Sequence, residues 1–185
     1  MNGLSRVLLA AAVLLPTVAT AQQATQSQPF NYSYVEIGYD EFDVGPFDGD
    51  GLTLTGSFEL TDDWHLVAAY GAADFDGGGD LDTWTVGAGY RYPLKSNVDL
   101  YGRALYITDD GPGDDDGLGL QVRIRAMVSD DVEVEGGIQH IDVRDSDTSL
   151  QAGVRYHFND TFSAGLGLTF AGDVDSLGLN ARFSF

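Results

Sequence analysis

Apolar and polar residues alternate along most of this chain, over ten short segments. In one of them the two faces are Leu118, Leu120, Val122, Ile124 and Ala126 against Gly119, Gln121, Arg123 and Arg125. This two-residue period is typical of β-strands, because successive side chains of a strand point to opposite sides of the sheet. The pattern predicts a sheet with one apolar and one wet face. An outer-membrane β-barrel needs such a sheet, with lipid outside and water or charge inside.

The N-terminus has the composition of a secretory leader. Arg6 supplies a positive start, residues 7–15 are apolar, and Ala19 and Ala21 form a small-residue cleavage site. The apolar run is too short for a membrane-spanning helix, so an uncleaved anchor is the weaker alternative. The predicted organisation is a signal peptide at 1–21, a flexible periplasmic tail at 22–29 and one barrel domain at 30–185.

Cysteine content, charge and the lengths of the apolar runs exclude several classes of protein. The chain has no cysteine, which excludes disulfides and thiolate metal sites. Acidic side chains outnumber basic ones 29 to 9, so nucleic acid is not an expected partner. Beyond the leader, no apolar run reaches the ~20 residues of a transmembrane helix. A membrane location therefore requires a closed barrel.

Ten strands are predicted from the alternation and from the turn residues between the segments. They lie near 31–42, 51–60, 64–74, 82–92, 98–108, 117–127, 132–142, 149–158, 162–171 and 176–185. Tight turns are predicted at 61–63, 93–97, 128–131 and 159–161, and longer Gly- and Asp-rich loops at 43–50, 74–80, 109–116, 144–148 and 172–175. In outer-membrane barrels the tight turns are periplasmic. The predicted fold is an all-β, ten-stranded, antiparallel, up-and-down transmembrane barrel with both termini in the periplasm.

Aromatic residues cluster at the two ends of the outward-facing phase. At the end of the tight turns they are Phe58, Trp64, Tyr92, Tyr156, Phe158, Phe162, Phe183 and Phe185, and at the other end Trp84, Tyr106 and Phe170. Two aromatic belts around an aliphatic middle suit a bilayer, whose interfaces favour aromatic rings. A soluble sandwich or lipocalin-like barrel also alternates, but its core favours large rings in mid-strand.

Three segments carry a resemblance to a known class of protein: 31–39 (NYSYVEIGY), 84–90 (WTVGAGY) and 181–185 (ARFSF). With the pattern of the whole mature chain, they resemble the small outer-membrane β-barrel proteins of Gram-negative bacteria, the superfamily of OmpA transmembrane domains and opacity-type porins. The resemblance implies a lipid-embedded barrel. It also implies that Phe183 and Phe185 belong to the C-terminal signal read by the barrel-assembly machinery. OmpA-type barrels have eight strands, whereas ten are predicted here.

Most basic residues of the predicted barrel fall on the inward phase. The inward charged residues are Arg91, Arg103, Arg123, Arg125, Arg155 and Arg182, with Glu36, Glu59, Asp99, Glu133 and Glu135. If the tight turn centres on Asp130, Arg125 faces Glu135 across its hairpin and Arg155 flanks the same glutamates. Opposite charges at this spacing satisfy one another, whereas a lone buried charge costs several kcal/mol. We therefore predict an interior charge network in the periplasmic half.

Two interpretations of this interior stay open. Small barrels are mostly filled by side chains, which makes the charges a structural cross-brace. The same groups also suit a narrow ion-selective constriction. More room is expected above the network, where the inward positions are Gly38, Gly71, Gly87 and Gly153.

Aspartates cluster with glycines in connections such as 74–80 and 109–116. Carboxylates of this kind suit calcium, but their spacing does not match an EF-hand. We interpret them as a solvated, mutually repelling fringe. The alternative is weak calcium or magnesium binding that bridges the loops to lipopolysaccharide phosphates. No other cofactor is expected.

An enzymatic interpretation depends on the histidines. His65 and His157 fall inward, and His140 falls outward beside Asp142 near the loops. No serine or second acid pair stands at strand spacing from His140, so no catalytic site is predicted.

The predicted function is that of a small outer-membrane barrel with a structural or surface-interaction role and a charge-filled interior. The alternatives are a narrow porin-like channel for small solutes or ions and a soluble secreted binding barrel. Expected partners are outer-membrane lipids, lipopolysaccharide and the barrel-assembly machinery, after export through the Sec pathway.

Overall fold

The structure is a computed structural model that describes residues 30–44, 47–76, 79–110, 115–143, 145–172 and 174–185. The predicted signal peptide, its cleavage residues Ala19 and Ala21, and the predicted tail at 22–29 lie outside the described residues. Within the described ranges, no helix has the length and apolar character that crossing a membrane requires.

Ten strands follow one another along the chain. They are β1 (Tyr34–Val44), β2 (Phe47–Glu59), β3 (Trp64–Phe75), β4 (Asp80–Lys95), β5 (Val98–Asp110), β6 (Asp115–Met127), β7 (Val132–Val143), β8 (Asp145–His157), β9 (Phe162–Ala171) and β10 (Val174–Ser184). Each strand pairs antiparallel with its neighbours in sequence, and β1 pairs with β10 to close the barrel. The predicted fold class is confirmed.

Large apolar side chains lie on the outside of the barrel. Leu120 and Leu179 in mid-strand are 62% and 59% exposed. Aromatic pairs flank them, with the Phe162 and Phe183 rings 5.2 Å apart near the periplasmic turns. A closed barrel with this outer surface fits hydrocarbon between two interfaces. A soluble barrel buries its apolar residues inside, so that alternative is excluded.

Three periplasmic turns share the same side-chain-to-backbone hydrogen bond. The side-chain oxygens of Thr61, Ser129 and Asn159 accept the backbone N–H three residues further on, at 3.1, 3.1 and 2.8 Å. Short polar side chains at the start of a turn satisfy backbone donors that the strand ladder leaves free. These residues therefore end one strand and orient the next.

At the opposite end the strands extend further than the sequence predicts. β1 and β2 stay in register up to Val44 and Phe47, and β7 and β8 up to Val143 and Asp145. The prediction of long loops over 43–50 and 144–148 is therefore wrong. The ladder continues through Asp and Gly because hairpin pairing outweighs the weak strand propensity of these residues.

An apolar cluster lines one side of the lumen above the charge network. Buried side chains of β3, β5 and β7 form this cluster, namely Val67, Leu105, Ile107 and Val143. The prediction of free space at Gly87 and Gly153 is wrong, because Leu105 and Glu135 side chains occupy it. An added Cβ at Gly38 has no neighbour closer than 3.8 Å, and one at Gly167 has none within 4 Å. Free space therefore lies along the β1 and β9 wall.

Candidate functional site in the barrel lumen

The residues before β1 turn into the barrel and fill part of its periplasmic end. Phe30 and Tyr32 are 2% and 1% exposed. The Asn31 side-chain amide donates to the Phe185 carbonyl at 3.2 Å, and the Phe185 N–H donates to the Ser33 carbonyl at 3.1 Å. These bonds tie the segment to the C-terminus across the seam between β1 and β10, and so hold the two rings in the lumen.

The rings of Phe30 and Tyr32 enclose the guanidinium of Arg125. Their centroids lie 4.5 and 4.9 Å from its central carbon. Arg125 Nε and Nη2 donate to the two carboxylate oxygens of Glu133 at 3.1 and 2.7 Å. Nε2 of His157 lies 3.2 Å from the same carboxylate. A bidentate pair between aromatic faces compensates the desolvation of both charges.

Further buried groups surround Tyr32. Its hydroxyl donates to Asp99 Oδ2 at 3.4 Å, and Arg91 Nη1 lies 3.8 Å from that oxygen. The N–H of Tyr32 donates to Glu59 at 3.4 Å, and its ring lies 4.7 Å from that of His65. We call this group the packed side of the lumen, and it consists of Phe30, Tyr32, His65, Arg91, Asp99, Arg125 and Glu133.

The opposite side of the lumen is closed by fewer groups. Glu36 Oε2 accepts hydrogen bonds from Arg155 Nη2 at 2.6 Å and from Arg182 Nε at 2.8 Å. Arg155 also donates to Asn180 at 2.8 Å, and the Arg182 guanidinium lies 3.8 Å from the centre of the Tyr34 ring. Glu36 and Arg182 are register partners, so their ion pair joins the first strand to the last. We call Glu36, Arg155, Asn180 and Arg182 the thin side.

Two further arginines lie one layer above. Arg123 Nη1 donates to Glu135 Oε1 at 2.8 Å, and its Nη2 also bonds Gln151. Arg103 donates to His65 Nε2 at 3.1 Å and to the hydroxyl of Tyr34 at 3.2 Å. Neither partner of Arg103 is a carboxylate. Arg103 therefore links His65 of the packed side to Tyr34, on whose ring Arg182 of the thin side stacks.

Two cavities border the thin side. The upper cavity, of ≈240 Å³, is lined by Gly38, Thr53, Glu135, Arg155 and Asn180 among others. The lower cavity, of ≈460 Å³, opens near the periplasmic turns and is lined by Asn31, Arg125, Asp130, His157 and Asp160 among others. Among the described residues, Arg182 is the one that lines both.

The ion pairs differ in partner from those expected from the hairpin register. Arg125 stands opposite Glu135 as predicted, but its guanidinium bonds Glu133 two positions along. Arg155 stands opposite Glu133, but it bonds Glu36 across the lumen. Long side chains reach diagonal neighbours in a twisted sheet, and a narrow lumen also brings distant strands within their reach. Register alone therefore does not fix the partners.

Sequence reasoning missed the insertion of Phe30 and Tyr32. The predicted first strand includes Tyr32, whereas β1 begins only at Tyr34. Both rings have the inward phase of Tyr34 and Glu36, and this parity was the available signal. It does not indicate that the segment leaves the wall and contacts Arg125.

The outward-facing His140 has hydroxyl neighbours that the sequence interpretation did not foresee. Its Nε2 lies 3.2 Å from Ser146 Oγ, and its Nδ1 lies 2.8 Å from Thr148 Oγ1. The statement that no serine stands beside His140 is therefore wrong. The three groups lie exposed on the β7–β8 surface, where the ladder pairs the backbone amides that an oxyanion site needs.

The remaining predicted features lie at the two rims. Phe183 and Phe185 are outward-facing, 44% and 56% exposed, at the periplasmic end. At the extracellular end, Glu41, Asp50, Asp74 and Asp80 form a row across four neighbouring strands. Among the described residues, no group of three or more His, Cys, Asp or Glu is arranged to hold a metal ion. Weak cation binding at this rim stays a prediction.

Comparison with known proteins decides the family. The model of the outer membrane protein beta-barrel domain matches residues 10–173. The chain belongs to this family. Its location is therefore the outer membrane. A comparison with curated proteins found no match.

Several solved structures have the same fold as this chain. A KdgM porin in complex with disordered oligogalacturonate has a TM-score of 0.53 at 6% identity, covering 82% of this chain and 99% of that chain. A NanC porin has a TM-score of 0.50 at 7% identity, covering 82% of this chain and 100% of that chain. At these identities the likeness extends to the barrel architecture alone. The chain is a small outer-membrane barrel with porin-like structural neighbours.

Proposed function

We propose that this barrel is closed at rest and serves the outer membrane as a structural or surface-interacting protein rather than as a permanently open pore. The observation that carries this proposal is the burial of the charge network. The side chains of Arg91, Asp99, Arg125 and Glu133 are at most 5% exposed, and those of the thin-side charges are at most 18% exposed. Among the described residues, these paired and buried charges block a continuous path through the periplasmic half.

Planar-bilayer recording tests the closed lumen. The full mature barrel, purified and refolded, is inserted into planar membranes and held at voltages of both signs. We expect no reproducible unitary current steps. Regular steps from the wild-type protein would refute the closed lumen.

A narrow channel for ions or small solutes is the second candidate. The observation in its favour is the pair of cavities that meet at Arg182 on the thin side. The porin neighbours share only the barrel fold with this chain. This candidate requires a rearrangement that joins the cavities.

The proposal also includes the export and assembly of the chain. The leader directs the chain through the Sec pathway, with cleavage after Ala21. The assembly machinery recognises the terminal strand through Phe183 and Phe185. Replacing Phe185 with Ala should lower the yield of heat-modifiable barrel in the outer membrane, while Phe58→Ala, on the same belt, should not. Equal yields would remove the assembly role.

A further inference from the structure

The two cavities are separated on the thin side by the side chain that lines them both. Arg182 lies below the upper cavity, which Glu36 and Arg155 also line. It lies above the lower cavity, which Asn31 and Ser184 also line. Of the packed side, Arg125 borders the lower cavity and no residue borders the upper one. A path through the barrel therefore needs the least rearrangement at Arg182.

We propose that Arg182 is the gate of a narrow ion passage, which joins the upper and lower cavities when its guanidinium swings away from Glu36. This proposal rests on the closed resting lumen proposed above and goes beyond it. It assigns the closure to one movable side chain. It also places the passage beside β8 and β10, which together with β6 contribute residues to both cavities.

The contacts of Arg182 are fewer than those of Arg125. Arg182 has one hydrogen bond to Glu36, whose Oε2 it shares with Arg155, and stacks on one ring. Arg125 makes a bidentate pair with Glu133 and lies between two rings. A swing of Arg182 therefore breaks fewer contacts, and the shared carboxylate keeps Arg155 as its partner.

The lower cavity supplies a second position for the Arg182 guanidinium. Its lining includes Asp130, Asp131 and Asp160. When the Arg182 guanidinium swings downward, it therefore exchanges the carboxylate of Glu36 for carboxylates near the periplasmic mouth. The Arg182 guanidinium therefore has carboxylate partners in both positions, so neither state leaves a buried charge unpaired. A two-state switch requires such a pair of positions.

The passage admits inorganic ions. Its walls are polar, with Thr53, Thr55 and Gln151 on the upper cavity. Hydroxyl and amide groups replace part of the hydration shell of an ion that crosses a narrow neck. The guanidinium of Arg182 blocks this neck as long as it remains on Glu36.

Bilayer recording of Arg182→Ala against Arg91→Ala provides the test. Both are largely buried, inward-facing arginines of the periplasmic half, at 9% and 4% exposure. Arg91 belongs to the packed side and lines neither cavity. We expect unitary steps in KCl from Arg182→Ala and none from wild type or Arg91→Ala. Heat-modifiable migration on gels checks that each variant is folded.

A cysteine variant tests whether the side chain at 182 blocks the path directly. The chain has no cysteine, so Arg182→Cys carries a single thiol. We expect this variant to conduct, and a methanethiosulfonate reagent that attaches an ammonium group should abolish its current. If Arg182→Ala does not fold, Glu36→Gln replaces it, because loss of the carboxylate releases Arg182 and should produce brief openings.

The outcomes separate the two proposals. A conducting wild type refutes the closed lumen. A closed wild type with silent Arg182 and Glu36 variants refutes the gate alone. Equal currents from Arg182→Ala and Arg91→Ala also refute it, because loss of any buried arginine would then open the barrel.

Discussion

The packed and thin sides close the same lumen by different means. On the packed side, an added Cβ at Gly89 collides with the imidazole of His65, so the space at this position is already occupied. On the thin side, an added Cβ at Gly167 meets nothing within 4 Å. Arginines face inward on both sides. The space beside an arginine, rather than its charge, therefore decides whether it braces the barrel or can move.

The largest expected effect is the loss of the central packed-side pair. Glu133→Gln leaves the buried Arg125 guanidinium without its carboxylate, which should lower the free energy of unfolding by about 3–5 kcal/mol. Chemical unfolding in lipid vesicles measures this change. Glu135→Gln is the matched control, because that side chain is 25% exposed and water replaces part of its role. Equal losses would contradict the distinction.

Removing a packed-side ring should reduce stability without opening a path. Tyr32→Ala deletes a fully buried ring and should cost about 3 kcal/mol. The bilayer should stay electrically silent, because Arg125, Arg91 and Asp99 still fill this side. Tyr156→Ala, which removes an outward ring, serves as the control for insertion. Unitary currents from Tyr32→Ala would place the weak point on the packed side instead.

A pair of glycine substitutions tests the difference in space directly. Gly89→Ala should lower the free energy of unfolding by about 1–3 kcal/mol, because the methyl group displaces His65. Gly167→Ala should change it by less than about 0.5 kcal/mol, since its methyl group enters open space. Both glycines face inward from strands, so backbone effects are matched. Similar losses would show that the thin side is as tightly filled.

The smallest effect is expected at the extracellular rim. Partial desolvation and the neighbouring Asp80 carboxylate raise the pKa of Asp74, which lies above the apolar band. An acid with a raised folded-state pKa favours folding as the pH falls through that pKa, and the benefit disappears at higher pH. Millimolar Mg²⁺ or Ca²⁺ should therefore raise Tm at neutral pH, and EDTA should reverse the rise.

Asp74→Asn provides the matched control for this rim effect. It should raise Tm at neutral pH and reduce the response to the cations, because one repelling charge of the row is gone. If wild type and Asp74→Asn respond identically to Mg²⁺ and EDTA, the cations do not act at this row.

Sequence alone predicted the wall of this barrel better than its contents. Alternation fixes which face each residue takes, so the strand number, the aromatic belts and the inward phase of Arg125 and Arg155 were accessible. Alternation does not predict which partner a long inward side chain reaches inside the lumen. The Arg155–Glu36 pair depends on barrel width and strand stagger, and the insertion of Tyr32 depends on a backbone turn before β1. The predicted strand ends near Asp and Gly were wrong because hairpin pairing overrides local propensity.

The most direct test of the closed lumen is to locate ordered water inside the barrel by high-resolution crystallography. We expect water in both the upper and lower cavities, with a dry break where Arg182 rests against Glu36 and Tyr34. The packed side should hold no continuous water. An unbroken file of water from one mouth to the other, past Arg182 in its resting position, would contradict the closed lumen.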